Sequence, residues 1–244
     1  MRPIVRIYRS AMTVVLFMMF GIGGLILSFL VLPFVRSRRA ALGKVRAALR
    51  FAVRLFTGTG LIGVDSGNLE NVRGCIVAPN HPSLIDVVIL TALLPDTFSV
   101  AKHSLRRNPF IGRVARKAFL PDDASLLDVA QKLLASGANL LIFPEGTRTP
   151  PEGLPATLRR GTAQLSIRTG APILPVRIDT TRRILGKHQS ILDMGDRRVL
   201  YAFTARPPLT PAPDANTDGL RHREAKRLTA ALLREISGEP AGRA

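Results

Sequence analysis

Hydrophobic positions divide the chain into an apolar N-terminal segment and a longer body in which short apolar runs alternate with amphipathic stretches. The N-terminal segment, residues 10–35, contains no charged side chain. As one helix it would be roughly 39 Å long, which is enough to cross a hydrocarbon core of about 30 Å. Gly21, Gly23, Gly24 and Pro33 would also allow a re-entrant hairpin. The pattern predicts membrane insertion of either kind rather than a buried core helix.

A second helix is predicted directly after this run, at residues 38–56. Its apolar residues recur at helical spacing, and most of its basic residues lie elsewhere around the helix. A basic amphipathic helix of this kind is typical of a membrane surface, although a solvated charged helix is the alternative. Seven basic residues lie between 36 and 54, against three before the apolar run. The positive-inside bias therefore predicts that the body lies on the cytoplasmic side.

The body, from Gly63 onward, alternates short β-like runs with amphipathic helical stretches, which predicts an α/β fold. Strands are predicted at residues 75–78, 98–101, 140–143, 173–178 and 199–203. Helices are predicted at residues 83–94, 122–136 and 161–169, with a closing helix marked by Leu220, Leu228, Leu232 and Ile236. The proline-rich stretch 206–217 is predicted to be a loop. These elements suggest an anchor at 1–62, one globular domain at 63–237 and a frayed tail at 238–244.

Composition and charge narrow the possible functions. The 244 residues are 46% hydrophobic and include 35 basic and 17 acidic side chains, so global disorder is a poor interpretation. Ten basic residues precede the first carboxylate, Asp65, so more than half of the net charge of +18 flanks the apolar segment. Aromatic residues make up only 5%, and tryptophan is absent, which disfavours a nucleic-acid-binding role. One cysteine, Cys75, and four scattered histidines exclude a disulfide scaffold or a structural zinc module.

The first chemically suggestive segment is Asn-His-Pro-Ser-Leu-Ile-Asp at residues 80–86, directly after the first predicted strand of the body. Pro82 suits the first position of a helix, which places His81 at the helix N-terminus and Asp86 about one turn further on. An aspartate that accepts from one ring nitrogen would leave the other nitrogen basic, as general-base catalysis on a hydroxyl requires. Amides at that helix N-terminus are candidates for stabilising an oxyanion. For an arbitrary pair, a capping histidine and a surface aspartate are the alternative.

The second segment is Phe-Pro-Glu-Gly-Thr-Arg at residues 143–148, which follows another apolar strand. It places a carboxylate, a flexible glycine, a hydroxyl and a guanidinium in one tight turn. The guanidinium of Arg148 has the fork geometry that grips a phosphate or carboxylate in bidentate fashion. A turn braced by an ion pair between Glu145 and Arg148 is the alternative. Two such segments, about 60 residues apart and each following a strand, favour one shared site.

These segments, together with residues 159–163 and 171–176, resemble the motifs of the lysophospholipid acyltransferase family. The resemblance covers the chain from about residue 63 to residue 178. It implies a mixed sheet flanked by helices, a catalytic domain at 63–237, His81 as the general base and Asp86 as its orienting partner. It also implies substrate-binding roles for Asn80, Ser83, Lys102, Glu145, Gly146, Thr147, Arg148, Arg160 and Pro175.

The chain departs from the family at its second motif, where an arginine that helps to hold the acceptor phosphate usually ends an apolar strand. Here Phe119 and Leu120 are followed by Pro121 and Asp122. An acid at this place would repel a phosphomonoester, which puts lysophosphatidic acid in question as the acceptor. Alternatively, Asp122 caps a helix and another basic residue supplies the missing charge. The candidates for that charge are Lys102, Arg106, Arg107 and Arg113.

The resemblance implies a membrane-bound enzyme that moves a fatty acyl group from acyl-CoA or acyl-carrier protein to the hydroxyl of a lyso-lipid such as lysophosphatidic acid. The two substrates would react in one ternary complex without an acyl-enzyme. One alternative is a different acceptor, such as a lyso-aminolipid or a secondary-metabolite lipid. Another is a non-catalytic membrane-binding module. The expected partners are membrane lipids, the thioester donor and the acceptor, with no cofactor, metal or nucleic acid.

Overall fold

A seven-stranded sheet forms the centre of the computed structural model, which describes residues 2–101, 103–108, 112–123, 125–190, 192–217 and 220–238. The strands are β1 (Ile62–Asp65), β2 (Ile76–Pro79), β3 (Thr97–Ala101), β4 (Leu120–Pro121), β5 (Asn139–Leu141), β6 (Ile173–Thr180) and β7 (Val199–Ala205). Their order is β1-β7-β6-β2-β5-β3-β4. Only β6 and β7 pair antiparallel among these neighbours, so the mixed sheet is confirmed.

Helices cover both faces of this sheet, as a mainly parallel sheet requires. They are α1 (Arg2–Ile26), α2 (Arg38–Gly58), α3 (Asp86–Leu93), α4 (His103–Arg106), α5 (Gly112–Ala118), α6 (Leu126–Ala135), α7 (Gly161–Thr169) and α8 (Leu220–Ser237). Successive residues of β2 point to opposite faces. Val77 packs in a cluster with residues of α2 and α3, whereas Ile76 packs with α6 and α7 and Ala78 packs with α7 and α8.

The predicted elements of the body agree with the structure in type and differ in where some of them begin. The five predicted strands lie within two residues of β2, β3, β5, β6 and β7, and the predicted helix 161–169 is α7. Strands β1 and β4 and helices α4 and α5 were not predicted. The stretch 206–217 is irregular apart from one bridge, in which Leu209 pairs with Ile173. Of the predicted tail, residues 239–244 lie outside the described residues.

Two predicted helices begin later than expected, because side chains bind the backbone just before them. Helix α3 begins at Asp86 rather than at residue 83, so Pro82 does not occupy its first position. The Asp86 carboxylate accepts the Ser83 N–H, and the Ser83 hydroxyl accepts the Ile85 N–H, which holds these residues in a turn. Helix α6 begins at Leu126 rather than at residue 122. Asp123 precedes it and accepts the Ser125 N–H.

The apolar N-terminal segment is continuously helical. Helix α1 begins eight residues before the predicted start, passes through its three glycines without a break, and continues as a π turn (Leu27–Val31) and a 3-10 turn (Leu32–Phe34). The segment Ile4–Phe34 has a mean hydropathy of 2.6, and 11% of its most apolar window is buried. It is therefore a candidate membrane span by length and composition. The second predicted helix is α2, which Ser37 caps by accepting the Ala40 N–H.

Helix α1 lies along the body, because both of its ends are held to it. Near the N-terminal end, the Ser10 hydroxyl donates to the Leu192 carbonyl of the body at 2.7 Å, and the buried Arg9 guanidinium donates to the carbonyls of Gly60 and Leu61, just before β1, at 3.2 and 3.0 Å. Beyond the C-terminal end, the Lys117 ammonium donates to the Val35 carbonyl at 3.0 Å. Between these contacts, Phe17 of α1 packs edge-on against Phe56 of α2. The hairpin that the glycines would allow within this segment is absent from the structure.

Candidate active site

The two motifs meet at one edge of the sheet. Strands β2 and β5 are parallel neighbours, with Ile76 opposite Leu140, so their carboxyl ends lie side by side. Residues 80–86 follow β2, and residues 143–148 follow β5. The carboxyl edge of parallel strands is where α/β proteins generally bind ligands. The architecture therefore brings together two sequence segments that are about 60 residues apart.

His81 and Asp86 form a hydrogen-bonded pair within the first motif. Nδ1 of His81 lies 3.0 Å from Oδ2 of Asp86, whose side chain is fully buried, while the His81 side chain is 12% exposed. The same carboxylate oxygen accepts the Ser83 N–H at 2.7 Å. Burial raises the pKa of the Asp86 carboxyl, and the hydrogen bonds from His81 and Ser83 oppose this rise. A carboxylate that accepts from Nδ1 fixes the imidazole tautomer with its other nitrogen, Nε2, free of a proton.

The second ring nitrogen of His81 is available to a substrate. Within the part of the chain that the structure describes, Nε2 makes no hydrogen bond. The imidazole is stacked on the Phe143 ring, with 4.0 Å between centroids and 29° between planes. Phe143 and Asp86 thus fix the orientation of the imidazole from its face and from its Nδ1 edge. An oriented imidazole with a free nitrogen suits proton abstraction from a hydroxyl.

Glu145 links the backbone of His81 to the side chain of Thr149. Its Oε1 accepts the His81 N–H at 2.8 Å and the Thr149 hydroxyl at 2.7 Å, and the Thr149 N–H donates to the His81 carbonyl at 2.7 Å. Burial raises the pKa of the Glu145 carboxyl, and the Thr149 hydroxyl is the largest opposing influence. Glu145 forms no ion pair with Arg148 among the described residues. We call this set of bonds the Glu145 latch.

Arg148 binds the connection between β6 and β7, residues 181–198, which we call the site loop. Its Nη1 donates to the carbonyls of Leu185 and Gly186 at 2.9 and 2.8 Å. The first motif grips the same loop, because the Ser83 hydroxyl donates to the Ile184 carbonyl at 2.7 Å. Both motifs therefore hold the site loop against the carboxyl edge of the sheet.

Asn80 and Pro175 lie in the sheet beside the motifs. The Asn80 side chain accepts the Ile178 N–H at 2.7 Å and donates to the Ile178 carbonyl at 3.0 Å, which extends the pairing of β2 with β6. Pro175 is buried in β6 opposite Ala78. These contacts hold the strand that delivers His81. The Asn80 amide is thus used at least in part to hold β6.

Three further predicted residues lie around the second motif. Gly146 has a φ of +67°, and a Cβ there would lie 2.5 Å from Nε of Arg159, so a side chain at this position would be strained and crowded. Thr147 is exposed. Arg160 precedes α7, is exposed, and has its Nη1 3.4 Å from Nε2 of His222. The structure does not bring Arg160 into the hydrogen-bonded cluster around His81.

The candidates for the missing second-motif charge lie away from His81. Arg113 stacks over the Phe29 ring at 4.3 Å, and Arg107 is exposed. Within the described ranges, neither these two nor Arg106 bonds to the His81 cluster, and Lys102 lies outside the described residues. Asp122 is exposed and precedes α6 rather than lying in its first turn.

The amides before α3 already have intramolecular acceptors, contrary to the expectation that they face an oxyanion. The N–H groups of Ser83, Leu84, Ile85 and Asp86 donate to Asp86 Oδ2, the Leu185 carbonyl, Ser83 Oγ and the Ser83 carbonyl, respectively. In the structure they close the turn and hold the site loop. These amides are therefore not open to a substrate oxygen.

Several residues of this site were not assigned a role from the sequence. Thr149 follows the second motif, and Tyr201 lies on β7, distant in sequence from both motifs. Oδ1 of Asp86 is buried and has no hydrogen-bond partner among the described residues, and the buried Tyr201 hydroxyl lies close to the Ser83 side chain. Burial and the nearby Asp86 carboxylate raise the pKa of Tyr201. No local sequence pattern marks such a residue, because only the tertiary fold brings it near the motif.

Cys75 is not placed to act as a nucleophile. It is buried at the start of the first motif strand, and burial raises the pKa of its thiol to about 12. A thiol with this pKa carries almost no thiolate near neutral pH, and the thiolate is the reactive form. In the ranges that the structure describes, no group of three or more His, Cys, Asp or Glu side chains is placed to hold a metal ion.

Comparisons with known proteins find acyltransferases that resemble this chain. A family model described as Acyltransferase matches residues 63–179. The 1-acyl-sn-glycerol-3-phosphate acyltransferase of Pseudomonas aeruginosa is 32% identical over 161 residues, which cover 62% of each protein. The lyso-ornithine lipid O-acyltransferase of the same organism is 36% identical over 156 residues, covering 60% of this chain and 55% of that protein. These matches thus span less than two thirds of each relative.

The fold also has a counterpart among solved structures. The crystal structure of PlsC, the 1-acyl-sn-glycerophosphate (LPA) acyltransferase of Thermotoga maritima, superposes with a TM-score of 0.65 over 100% of both chains at 21% identity. The match shows a shared fold, including helices on both faces of the mixed sheet. The family model covers both motifs and the strands that carry them. Residues 63–179 therefore match the acyltransferase family model, and the relatives that resemble this part of the chain include 1-acyl-sn-glycerol-3-phosphate acyltransferases.

Proposed function

We propose that this chain is a membrane-associated O-acyltransferase that transfers a fatty acyl group from a thioester donor, acyl-CoA or acyl-carrier protein, to the hydroxyl of a lyso-lipid. The observation that carries the proposal is the His81–Asp86 pair, in which a buried carboxylate binds Nδ1 at 3.0 Å and leaves Nε2 free. The Glu145 latch holds this base in place through its backbone. A non-catalytic membrane-binding module would not need a preorganised base at this edge of the sheet.

The geometry supports direct transfer between the two substrates. Nε2 of His81 takes the proton of the acceptor hydroxyl as that oxygen attacks the thioester carbonyl carbon, and Asp86 stabilises the imidazolium that forms. The carbonyl π electrons move to oxygen, and collapse of the tetrahedral intermediate breaks the C–S bond. The thiolate leaves with the bonding pair and takes the proton from Nε2, which regenerates neutral His81. Neither Cys75 nor an acyl-enzyme is needed.

Two acceptor classes are consistent with the site. Lysophosphatidic acid is the first, because relatives from bacteria to plants are named 1-acyl-sn-glycerol-3-phosphate acyltransferases. A lyso-aminolipid is the second. It is favoured by Asp122 at the place of the second-motif arginine and by the 36% identity to a lyso-ornithine lipid O-acyltransferase. Both acceptors present a hydroxyl to the base and carry an anionic group.

Thiol release by the purified chain in detergent micelles tests this function. Acyl-CoA and acyl-carrier protein are supplied in turn, each with lysophosphatidic acid, lyso-ornithine lipid or no acceptor. We expect release that depends on an acceptor, because attack by the lipid hydroxyl is what breaks the C–S bond. The preferred acceptor then decides between the two classes. Release that is equally fast without any lyso-lipid would indicate a thioesterase and contradict acyl transfer.

The proposed attachment to the membrane uses the exposed face of α1. The large apolar side chains of Ile22 in α1 and of Phe29 and Leu30 in the π turn that continues it are at least half exposed. Because Ser10 and Lys117 hold both ends of the apolar segment to the same body, the favoured arrangement is a helix lying in one leaflet. The seven basic residues between 36 and 54 favour an anionic cytoplasmic surface.

Replacing Leu30 by glutamate is expected to weaken vesicle binding about tenfold or more. The substitution removes the roughly 2 kcal/mol that burial of a leucine side chain contributes and adds a charge that resists transfer into lipid. Sedimentation with vesicles containing anionic lipid measures the change. Leu220→Glu on α8 is the matched control, because that leucine is also exposed but lies outside the apolar N-terminal segment. Equal loss of binding in both variants would contradict the role of α1.

A further inference from the structure

A polar cleft lies beside the proposed base, at the carboxyl edge of the sheet. Its volume is about 270 Å³, enough for a small anionic head group. The residues that matter for its chemistry are Asn80, Pro82, Thr149, Arg177, Asp179 and Arg183. The proposed mechanism gives this cleft no role, although two of these residues are the sequence neighbours of His81.

Of the two arginines that line the cleft, Arg177 is paired with a carboxylate, whereas Arg183 has no such partner among the described residues. Nε of Arg177 lies 2.9 Å from both carboxylate oxygens of Asp179, and its Nη1 donates to the Ser237 carbonyl. Arg183 donates to the Pro150 carbonyl and, in the described part of the chain, forms no ion pair with a carboxylate. Burial raises the pKa of Glu145, and the Arg183 charge is a minor influence that opposes this rise. Arg183 therefore keeps a positive charge and several N–H donors for a ligand.

Contacts around His81 connect Arg183 to the base. The Thr149 N–H donates to the His81 carbonyl, and the next residue, Pro150, accepts from Arg183. Arg183 lies on the site loop, which Arg148 and Ser83 hold against the same edge. The position of the Arg183 guanidinium is thus fixed both by its own bond to Pro150 and by the bonds that hold the site loop.

The chemistry of the acceptor requires an anion close to the base. In lysophosphatidic acid the reacting hydroxyl and the phosphate are on adjacent carbons, and in lyso-ornithine lipid a few more covalent bonds separate the hydroxyl from the carboxylate. When the hydroxyl binds Nε2 of His81, the anionic group must lie near that imidazole. The guanidinium fork of Arg183 suits either oxyanion.

We infer that Arg183 binds the anionic group of the acceptor and supplies the cation that the family usually places at the end of its second motif. This inference rests on the proposed acyl-transfer function. It also gives Arg148 a positioning role, because Arg148 fastens the loop that carries Arg183. The shared chemistry is an oxyanion near a hydroxyl, so the assignment applies to a phosphate or a carboxylate head group.

Steady-state kinetics of Arg183→Gln test the assignment. We expect the acceptor KM to rise about 10- to 100-fold, as for loss of a charged hydrogen bond. The donor KM and kcat at saturating acceptor should change less than about threefold, because those quantities do not depend on acceptor capture. Arg183→Lys keeps the positive charge but lacks the guanidinium fork, so its acceptor KM should lie between the values for the wild type and for Arg183→Gln. The acceptors tested are lysophosphatidic acid, lyso-ornithine lipid and uncharged monoacylglycerol. The KM for monoacylglycerol should not change, because this acceptor has no anionic group for Arg183 to bind.

Arg182→Gln is the matched control. Arg182 precedes Arg183 on the site loop, but its guanidinium pairs with Asp193 at 2.6 Å and is 41% exposed, so the acceptor KM should stay at the wild-type value. A rise in the donor KM instead would assign Arg183 to the donor and overturn the inference. An unchanged acceptor KM, or a lower kcat with a lower Tm, would overturn it as well. A wild-type chain that transfers no acyl group to any acceptor would reject the proposed function itself.

Discussion

Replacing His81 by alanine is expected to lower kcat about a thousandfold, with the fold and vesicle binding retained. The imidazole is the group that removes the hydroxyl proton, and a positioned general base typically contributes about 10²- to 10⁴-fold. Its side chain lies at the sheet edge against Phe143 and Asp86, outside the strands that form the core. Initial rates of thiol release at saturating donor and acceptor measure the loss, and circular dichroism checks the fold.

Two further variants make this result specific. His81→Gln keeps a polar group beside Asp86 but has no basic nitrogen, so it should be as inactive as the alanine variant. His188→Asn is the control, because His188 is an exposed residue of the site loop whose φ of +62° suits asparagine. It should retain wild-type turnover. A fully active His81→Ala enzyme would exclude the general-base mechanism.

Local sequence signals were sufficient to predict the bounds of an element where a residue with an unusual backbone conformation ends it. The helix predicted at 161–169 matches α7 because Gly170 adopts a left-handed conformation, with φ at 72°, and terminates it. The strands were recognised from apolar runs because a mainly parallel sheet buries both of its faces. Strand β1 was missed because Gly63 interrupts its apolar run and the charged Asp65 ends it.

Helix starts were predicted less well, because short-range side-chain bonds compete with helix formation. Pro82 suits a first helical position, yet Asp86 is used to bind Ser83 and His81, so the helix begins only at Asp86. This displacement is also what closes the His81–Asp86 pair. A sequence pattern gives the spacing of the two residues but not the turn that connects them.

The residues of the two motifs could be found from the sequence, whereas the functions of several of them depend on distant partners. Asn80 was assigned to substrate binding, and the structure shows it holding Ile178 on β6. Arg148 was expected to face a ligand or Glu145, and it holds the site loop. Arg183 gave no signal, because its place near His81 arises from the fold of a loop about 100 residues further along the chain.

The N-terminal segment likewise combines features that are evident from the sequence with features that depend on distant contacts. The apolar run and the basic helix after it were evident from the sequence and correspond to α1 and α2. The sequence left a span and a hairpin equally open, since both need only length and apolar composition. The contacts that Ser10 and Lys117 make between the apolar segment and the body are long-range, and they are what favours an in-plane helix.

Replacing Glu145 by alanine is expected to destabilise the fold by about 3 kcal/mol and to lower kcat at least tenfold. The carboxylate accepts the His81 N–H and the Thr149 hydroxyl in a buried setting, and each hydrogen bond to a charged group contributes about 1.5–3 kcal/mol. Without this acceptor, the backbone that carries the imidazole loses its fixed position. Chemical denaturation in detergent measures the stability, and thiol release measures the turnover.

Glu145→Gln and Glu152→Ala separate this positioning role from direct contact with substrate. Glutamine keeps an oxygen that accepts the His81 N–H, so this variant should recover much of the stability and turnover. Glu152 is exposed a few residues beyond the second motif, and its replacement should change neither quantity. If Glu145→Ala unfolds like the wild type and raises only the acceptor KM, then Glu145 binds the acceptor itself, as the family resemblance implies. A joint loss of stability and kcat with an unchanged acceptor KM supports the Glu145 latch.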